Sequence, residues 1–276
     1  MRSLPIFSVL TLASVLVASC VQESEDDQDG SRDALFDVDS ADDSSADASL
    51  APDSPQCPWV GNIDLDDEAA VQAFIDSGCD TIVGDLTLVN SERERLPVVP
   101  VRFLEGTLNI IGCPRLVSLD GLESLVAATS IILTRSETRN DAGESTFVGL
   151  DSLTDLSALS NVVRVEQRPE DFRELPGILA IGYAPQLRSL TGLERAAIIG
   201  SFTLIELPVL QDLEGLGAVQ RLFQSNVRDC PCVEWAEYQS FIERVTLLTN
   251  PYDSAFVPSN AECLERDAAE GSSTEP

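Results

Sequence analysis

One phrase, Leu-x-x-Leu-x-Gly-Leu, returns in three places along this chain: Pro114–Glu123 (PRLVSLDGLE), Pro185–Glu194 (PQLRSLTGLE) and Pro208–Leu216 (PVLQDLEGL). Each lies next to a run in which Gly is followed by alternating apolar residues. Leucine at every third position keeps one side of the segment apolar, so a chain that repeats the phrase coils through the same turn with its leucines inward. The phrase constrains architecture strongly and activity hardly at all, because its conspicuous residues are core residues.

The strand phrases, in order, are Gly61–Leu65 (GNIDL), Gly84–Leu88 (GDLTL), Gly106–Ile110 (GTLNI), Thr129–Leu133 (TSIIL), Gly177–Ile181 (GILAI) and Gly200–Leu204 (GSFTL). Most begin about 23 residues apart, a solenoid period. The interval from Thr129 to Gly177 is about double, which predicts a further coil between them with Val162–Val165 as its strand. Alternation within each phrase places one set of side chains inside, and Gly permits a tight corner before the strand. Stacked as parallel strands about 4.8 Å apart, the coils form a short parallel β-solenoid roughly 30 Å long.

An open solenoid exposes its end rungs and needs caps. Asp66-Asp67-Glu68 opens a helical stretch with carboxylates at its positive end, and Ala70, Val71, Phe74 and Ile75 form its apolar stripe before Gly78. Trp235, Tyr238, Phe241, Ile242 and Val245 repeat the helical spacing near the other end. The fold class expected is therefore mainly β, with N- and C-terminal capping helices. Both tryptophans, Trp59 and Trp235, are expected to close the core ends rather than to form a stacking platform.

The formal net charge is -30 at pH 7, and the chain has neither Lys nor His. A nucleic-acid backbone would be repelled, so no nucleic-acid partner is expected. The missing residues also remove Ser-His-Asp and Cys-His activation, His-ligated zinc, the phosphate-loop lysine and Schiff-base chemistry. Carboxylates, Arg, Tyr and Cys remain, and no cofactor is expected.

Met1-Arg2-Ser3 followed by the apolar run Leu4–Ala18 has the form of a secretion signal, too short to span a bilayer comfortably. Val17-Ala18-Ser19-Cys20 resembles the bacterial lipobox, in which the Cys receives a diacylglyceryl thioether and becomes the new amino terminus; ordinary cleavage after Ser19 is the alternative. Acyl chains on Cys20 would anchor the protein to a membrane without a transmembrane helix. Val21 in the second position favours the outer membrane by analogy with the enteric sorting rule. Residues 20–56 are rich in Asp, Glu, Ser and Ala and read as a disordered, self-repelling tether. Glu25-Asp26-Asp27-Gln28-Asp29-Gly30 looks like the start of a calcium loop, but Phe36 stands where the closing Glu is needed. The expected division is a signal peptide (1–19), a lipidated linker (20–56), the solenoid (57–263) and a polar tail (264–276).

Six cysteines follow Cys20, an even number that suits disulfide pairing in an exported chain. Cys57 and Cys79 bracket the first rung and helix and are expected to pair. Cys263 is expected to return to Cys230 or Cys232, leaving Cys113 free or paired with the other. Cys230-Pro231-Cys232 is C-x-C rather than the oxidoreductase C-x-x-C, and no second cluster completes a metal site.

Taken together, Cys57, the GNIDL rung, the helix, Cys79-Asp80-Thr81-Ile82 with Gly84-Asp85-Leu86, and the repeated leucine phrase resemble a receptor L domain. This is the short leucine-rich β-helix module of insulin- and EGF-type receptors, also present in bacterial surface lipoproteins. The resemblance covers Cys57 to Cys263 and implies a right-handed solenoid presenting sheet faces and loops to a ligand. The chain has a single such domain and no kinase, so receptor dimerisation is not implied.

Two polar segments interrupt the repeat, Thr134–Phe147 (TRSETRNDAGESTF) and Glu166–Glu174 (EQRPEDFRE). If both leave from one side, Arg135, Arg139, Arg168 and Arg173 form a cationic spot on an acidic protein, a candidate recognition surface. The function expected is a membrane-anchored, non-enzymatic interaction module with an unknown protein or glycan ligand. The alternatives are a β-helix polysaccharide-active enzyme using carboxylates such as Asp64, Asp85 or Asp120, and a passive structural protein of the envelope. Asp85 and Asp120 also suit turn chemistry beside Gly, and Asp66 and Asp67 suit helix capping.

Overall fold

A computed structural model describes residues 57–139, 143–166, 177–247, 255–257 and Cys263. Its strands are β1 (Trp59–Val60), β2 (Ile63–Asp64), β3 (Thr81–Val83), β4 (Leu86–Val89), β5 (Phe103–Ile111), β6 (Ala127–Thr134), β7 (Ser136–Arg139), β8 (Ser145–Val148), β9 (Arg164–Val165), β10 (Ile178–Gly182), β11 (Ile198–Ile205), β12 (Arg221–Arg228), β13 (Thr246–Leu247) and β14 (Ala255–Val257). All except the β7–β8 hairpin belong to one parallel sheet. Its rungs run β1/β2, β3/β4, β5, β6, β9/β10, β11, β12 and β13/β14, so eight rungs are joined by seven turns. At about 4.8 Å per step the stack is about 34 Å long.

Three inward columns fill the sheet side of the core. Ile82, Leu104, Ala128, Val165, Ile199 and Leu222 are in register, as are Leu88, Ile110, Leu133, Ile181, Leu204 and Val227. Between them run Leu86, Leu108, Ile131, Leu179 and Phe202, then Ser225, buried and hydrogen-bonded to the Tyr238 hydroxyl at 2.7 Å. The repeated phrase supplies the opposite wall: Leu116, Leu119 and Leu122, Leu187, Leu190 and Leu193, and Leu210, Leu213 and Leu216 are all buried. Leu150, Leu153, Leu156 and Leu159 make the same turn in the coil after β6.

Glycine recurs at the mid-rung corner because neighbouring coils approach too closely for a side chain. A Cβ on Gly106 would lie 2.0 Å from the Gly84 carbonyl oxygen, and one on Gly177 would lie 1.9 Å from that of Thr129. Where Thr129 occupies the column, the pairing of β5 with β6 shifts register between Leu104 and Thr107. One residue further on, side chains bridge the coils: Asn62 Oδ1 accepts the Asp85 N–H (2.8 Å), Asp85 Oδ1 the Thr107 N–H (2.7 Å) and Ser130 Oγ the Ile178 N–H (3.0 Å). Each bond satisfies a backbone donor at the kink.

Helices α1 (Glu68–Ser77) and α2 (Trp235–Arg244) occupy the first and last of the seven turns. The Asp67 carboxylate caps α1 by accepting the Ala69 and Ala70 N–H groups, and the helix stops at Gly78. Val71 and Phe74 enter the core, with Trp59 edge-on to Phe74 at 6.0 Å, while Ile75 remains at the surface. From α2, Phe241 meets Phe202 edge-to-face at 5.4 Å and Tyr238 is buried.

The structure departs from the sequence reading in three places. The doubled interval holds no additional coil: β9 and β10 both pair with β6 and with β11, so they are halves of one rung. The extra length goes into the hairpin and into the segment between Glu166 and Gly177. Trp235 does not close the core, since it is half-exposed and lies against Tyr238. Beyond Leu204 the sheet gains two rungs, β12 and β13/β14, that lack the Gly-led phrase.

Cys57 is bonded to Cys79, and Cys232 to Cys263. Cys113 and Cys230 are free and buried. Burial pushes the Cys113 thiol up, and pushes that of Cys230 up to about 11.

A candidate binding groove at the corner after each rung

Each long rung ends in a corner that turns the chain inward. The corner residues are Asn90, Gly112, Tyr183, Glu206 and Asp229, with φ of 54°, 64°, 57°, 52° and 56°. Their N–H groups bond to the next coil: Asn90 to Ile111 O, Gly112 to Thr134 O, Tyr183 to Ile205 O and Glu206 to Arg228 O. Gly takes this left-handed conformation without strain and Asn tolerates it, whereas Tyr and Glu are strained by roughly 1 kcal/mol or more each. A buried residue follows each of Gly112, Tyr183, Glu206 and Asp229, and then proline: Pro114, Pro185, Pro208 and Pro231.

In the fourth coil the corner is replaced by the hairpin. β7 and β8 pair antiparallel with Glu137 opposite Phe147, and the chain rejoins the coil at Gly149, whose missing side chain leaves room for the Tyr183 carbonyl oxygen 2.7 Å from where its Cβ would stand. Arg135 begins the hairpin. Its guanidinium carbon lies 4.2 Å from the Phe147 ring centroid and 3.8 Å from that of Tyr183, and Nη1 is 3.9 Å from Glu206 Oε1. Stacking fixes the plane of the guanidinium. Burial raises the Tyr183 phenol above its ordinary value, opposed by the adjacent Arg135.

Hairpin and corners together enclose an open groove of about 440 Å³. Phe147 and Arg135 form one end, Tyr183, Glu206 and Asp229 one side, and Pro185, Pro208 and Pro231 a rigid apolar floor beside Asp151. A depression at Phe103, Ala128 and Arg164 holds only about 30 Å³, water-sized at most.

Among the four arginines singled out in the sequence, Arg135 lines this groove. Arg139 is exposed four residues further along the hairpin, about 13 Å by strand rise, and pairs with Glu137 at 3.0 Å. Bonds from Ser145 and Arg139 hold the Glu137 carboxyl below its ordinary value. Arg168 and Arg173 lie outside the described residues. The hairpin leaves after Thr134, at the end of a rung, whereas the second interruption leaves after Glu166 at the mid-rung corner. Arg135 therefore sits among carboxylates and rings, not in a cationic spot with Arg139.

Of the carboxylates weighed in the sequence, Asp64 and Asp85 serve the backbone and Asp66 serves neighbouring side chains. Asp64 accepts the Asp66 N–H (2.9 Å), Asp85 binds Thr107 as above, and Asp66 pairs with Arg93 and Ser91. At Asp120 the backbone N–H is directed at Ser118 Oγ (3.4 Å). Among the described residues no three His, Cys, Asp or Glu side chains converge as a metal site.

Sequence reasoning missed Tyr183, Glu206 and Asp229. Their signal was the residue standing two places before each repeated proline, directly ahead of the leucine phrase for Tyr183 and Glu206 and of Cys232 for Asp229. On the outer sheet face, the column Asp64, Thr87, Asn109, Ile132, Ala180, Thr203 and Asn226 carries a charge only at its first rung.

The fold is a parallel β-solenoid, compatible with L-domain and leucine-rich-repeat-like architecture. Protein-family models, curated proteins and solved structures yield no match to the chain.

Proposed function

We propose that this chain is an exported, lipid-anchored, non-enzymatic binding protein of receptor L-domain type. In this reading residues 1–19 are removed, Cys20 carries the lipid, residues 20–56 hold the domain away from the membrane, and the solenoid from Cys57 to Cys263 engages a ligand at the cell envelope, with the outer membrane as the favoured location. The observation that carries it is the coincidence of strained corners with a groove. Tyr183 and Glu206 stand strained in left-handed conformations where the fold accepts Gly112, and both line the open cleft beside Asp229, whose type tolerates the same conformation. Strain retained at side chains that face solvent is a mark of recognition surfaces.

Saturable binding of the labelled domain Cys57–Cys263 to intact producing cells tests the reading. Absence of saturable binding to cells and to envelope extracts would overturn it. The anchor has its own test in the intact mass of the mature protein, where an unmodified Cys20 terminus refutes lipidation.

A further inference from the structure

We infer that the groove beside the hairpin binds a neutral saccharide chain lying along the solenoid axis, across Arg135, Tyr183, Glu206 and Asp229. The inference rests on the binding-module reading and assigns it a ligand class.

Four features converge on that chemistry. First, the charged groups lining it are one donor-only group, Arg135, and three acceptor-only groups, Asp151, Glu206 and Asp229, the last paired with Arg228 at 3.2 Å, while the Tyr183 phenol can donate and accept. A hydroxyl both donates and accepts, so a polyhydroxylated ligand satisfies both kinds through charge-assisted bonds. An anion would meet three carboxylates on a chain of charge -30, and a cation would leave the Arg135 donor edge without an acceptor, whereas neutral hydroxyls engage both kinds of group.

Second, the donor is preorganised. The Arg135 guanidinium is clamped between Phe147 and Tyr183, and among the described residues it makes no hydrogen bond, only the 3.9 Å pairing with Glu206. Its N–H edge is held in place before a ligand arrives.

Third, the groove has apolar surface suited to the C–H faces of sugar rings. Phe147 is 49% exposed, and the proline floor has no N–H groups to satisfy.

Fourth, the site repeats. Arg135, Tyr183, Glu206 and Asp229 come from four successive coils about 4.8 Å apart, so they extend about 14 Å and offer a new polar group at each step. A polymer of similar units is the ligand that meets such a row throughout.

The test is titration of the full mature chain with neutral gluco-, manno-, galacto- and xylo-oligosaccharides, alongside a polyuronate and an oligo-arginine peptide. At least one neutral oligosaccharide is expected to bind. Its affinity is expected to fall about tenfold or more in Arg135→Ser, Glu206→Gln and Tyr183→Gly, about the loss of one charge-assisted bond. Asn90→Gly, at the equivalent corner outside the groove, is the control and should bind as the parent does, with unfolding curves verifying each variant. No binding of any neutral oligosaccharide overturns the inference, as does binding that the three substitutions leave intact or a preference for the polyuronate or the peptide. Cell attachment that persists without saccharide binding removes this inference alone, whereas loss of both removes the binding-module reading as well.

Discussion

Arg135 and Tyr183 lie in neighbouring coils, and the guanidinium carbon of the first stands 3.8 Å from the ring centroid of the second. The ring reaches that position from a left-handed backbone, φ 57°. Contact and conformation oppose each other in Tyr183, which makes their separate contributions measurable.

Replacing Tyr183 by Ala removes the ring and keeps the strained backbone, whereas replacing it by Gly removes both. The Gly variant is expected to be more stable than the Ala variant by about 1 kcal/mol. Urea denaturation of the two variants checks this, and equal midpoints would show that the corner carries no strain.

Gly106→Ala places a methyl group 2.0 Å from the Gly84 carbonyl oxygen, a backbone atom held by the sheet. The coils must part locally, and a loss of about 1–3 kcal/mol is expected, the range of overpacked sites. Denaturant unfolding measures it, and an unchanged midpoint would mean that the stack yields there without strain.

How far these features are legible in the sequence differs from column to column. Gly106 and Leu119 announce themselves because the close approach of coils and the buried wall each demand one kind of residue. Ser225 hides its rung, since a polar residue fills an inward position and is satisfied by Tyr238 from α2. The corner demands only a backbone conformation, which Asn90, Gly112, Tyr183, Glu206 and Asp229 all adopt without common side-chain chemistry. The groove was harder still to read, because Arg135 meets Tyr183 only after the hairpin and the Glu166–Gly177 segment are set aside. The apparent extra coil had the same origin, as the strand at Val165 was visible but its sharing of a rung with Ile178 was not.

The free thiols offer a check on the core. Cys113 and Cys230 follow corner residues in their coils and are buried, with the Cys230 thiol pushed up to about 11. Neither is expected to react with iodoacetamide in the native protein near pH 8, and both should react once it is unfolded without reductant. Peptide mass mapping identifies the sites, and rapid native labelling of either residue would contradict its burial.

Glu237 links stability to pH. Burial raises its carboxyl above the ordinary 4.5, with Asp212, Glu214 and Glu234 adding to the effect and the Leu213 N–H opposing it. The folded state therefore binds this proton more tightly than the unfolded chain. The associated stability is fully present below pH 4.5 and is lost as pH rises through the raised folded value. Glu237→Gln is expected to remove that dependence and to raise the midpoint at pH 7 relative to the parent. Thermal unfolding of both proteins across the window isolates this residue, and parallel curves would refute the assignment.

The Cys57–Cys79 bridge closes a loop of sequence separation 22 around the first rung and α1. Replacing both cysteines by Ser is expected to destabilise the domain by about 3 kcal/mol through the unfolded chain, as measured by denaturant unfolding.

That bridge also sets the route of mechanical load. Tension applied through the residues ahead of Cys57 would otherwise reach β1 first and peel the stack strand by strand from its end. The crosslink carries the pull directly to Cys79, two residues before β3 begins, so β1, β2 and α1 lie in a slack covalent loop outside the line of force. A domain held against flow through its N-terminal side would thus keep its outermost rung at rest while β3 and the rungs beyond it take the strain.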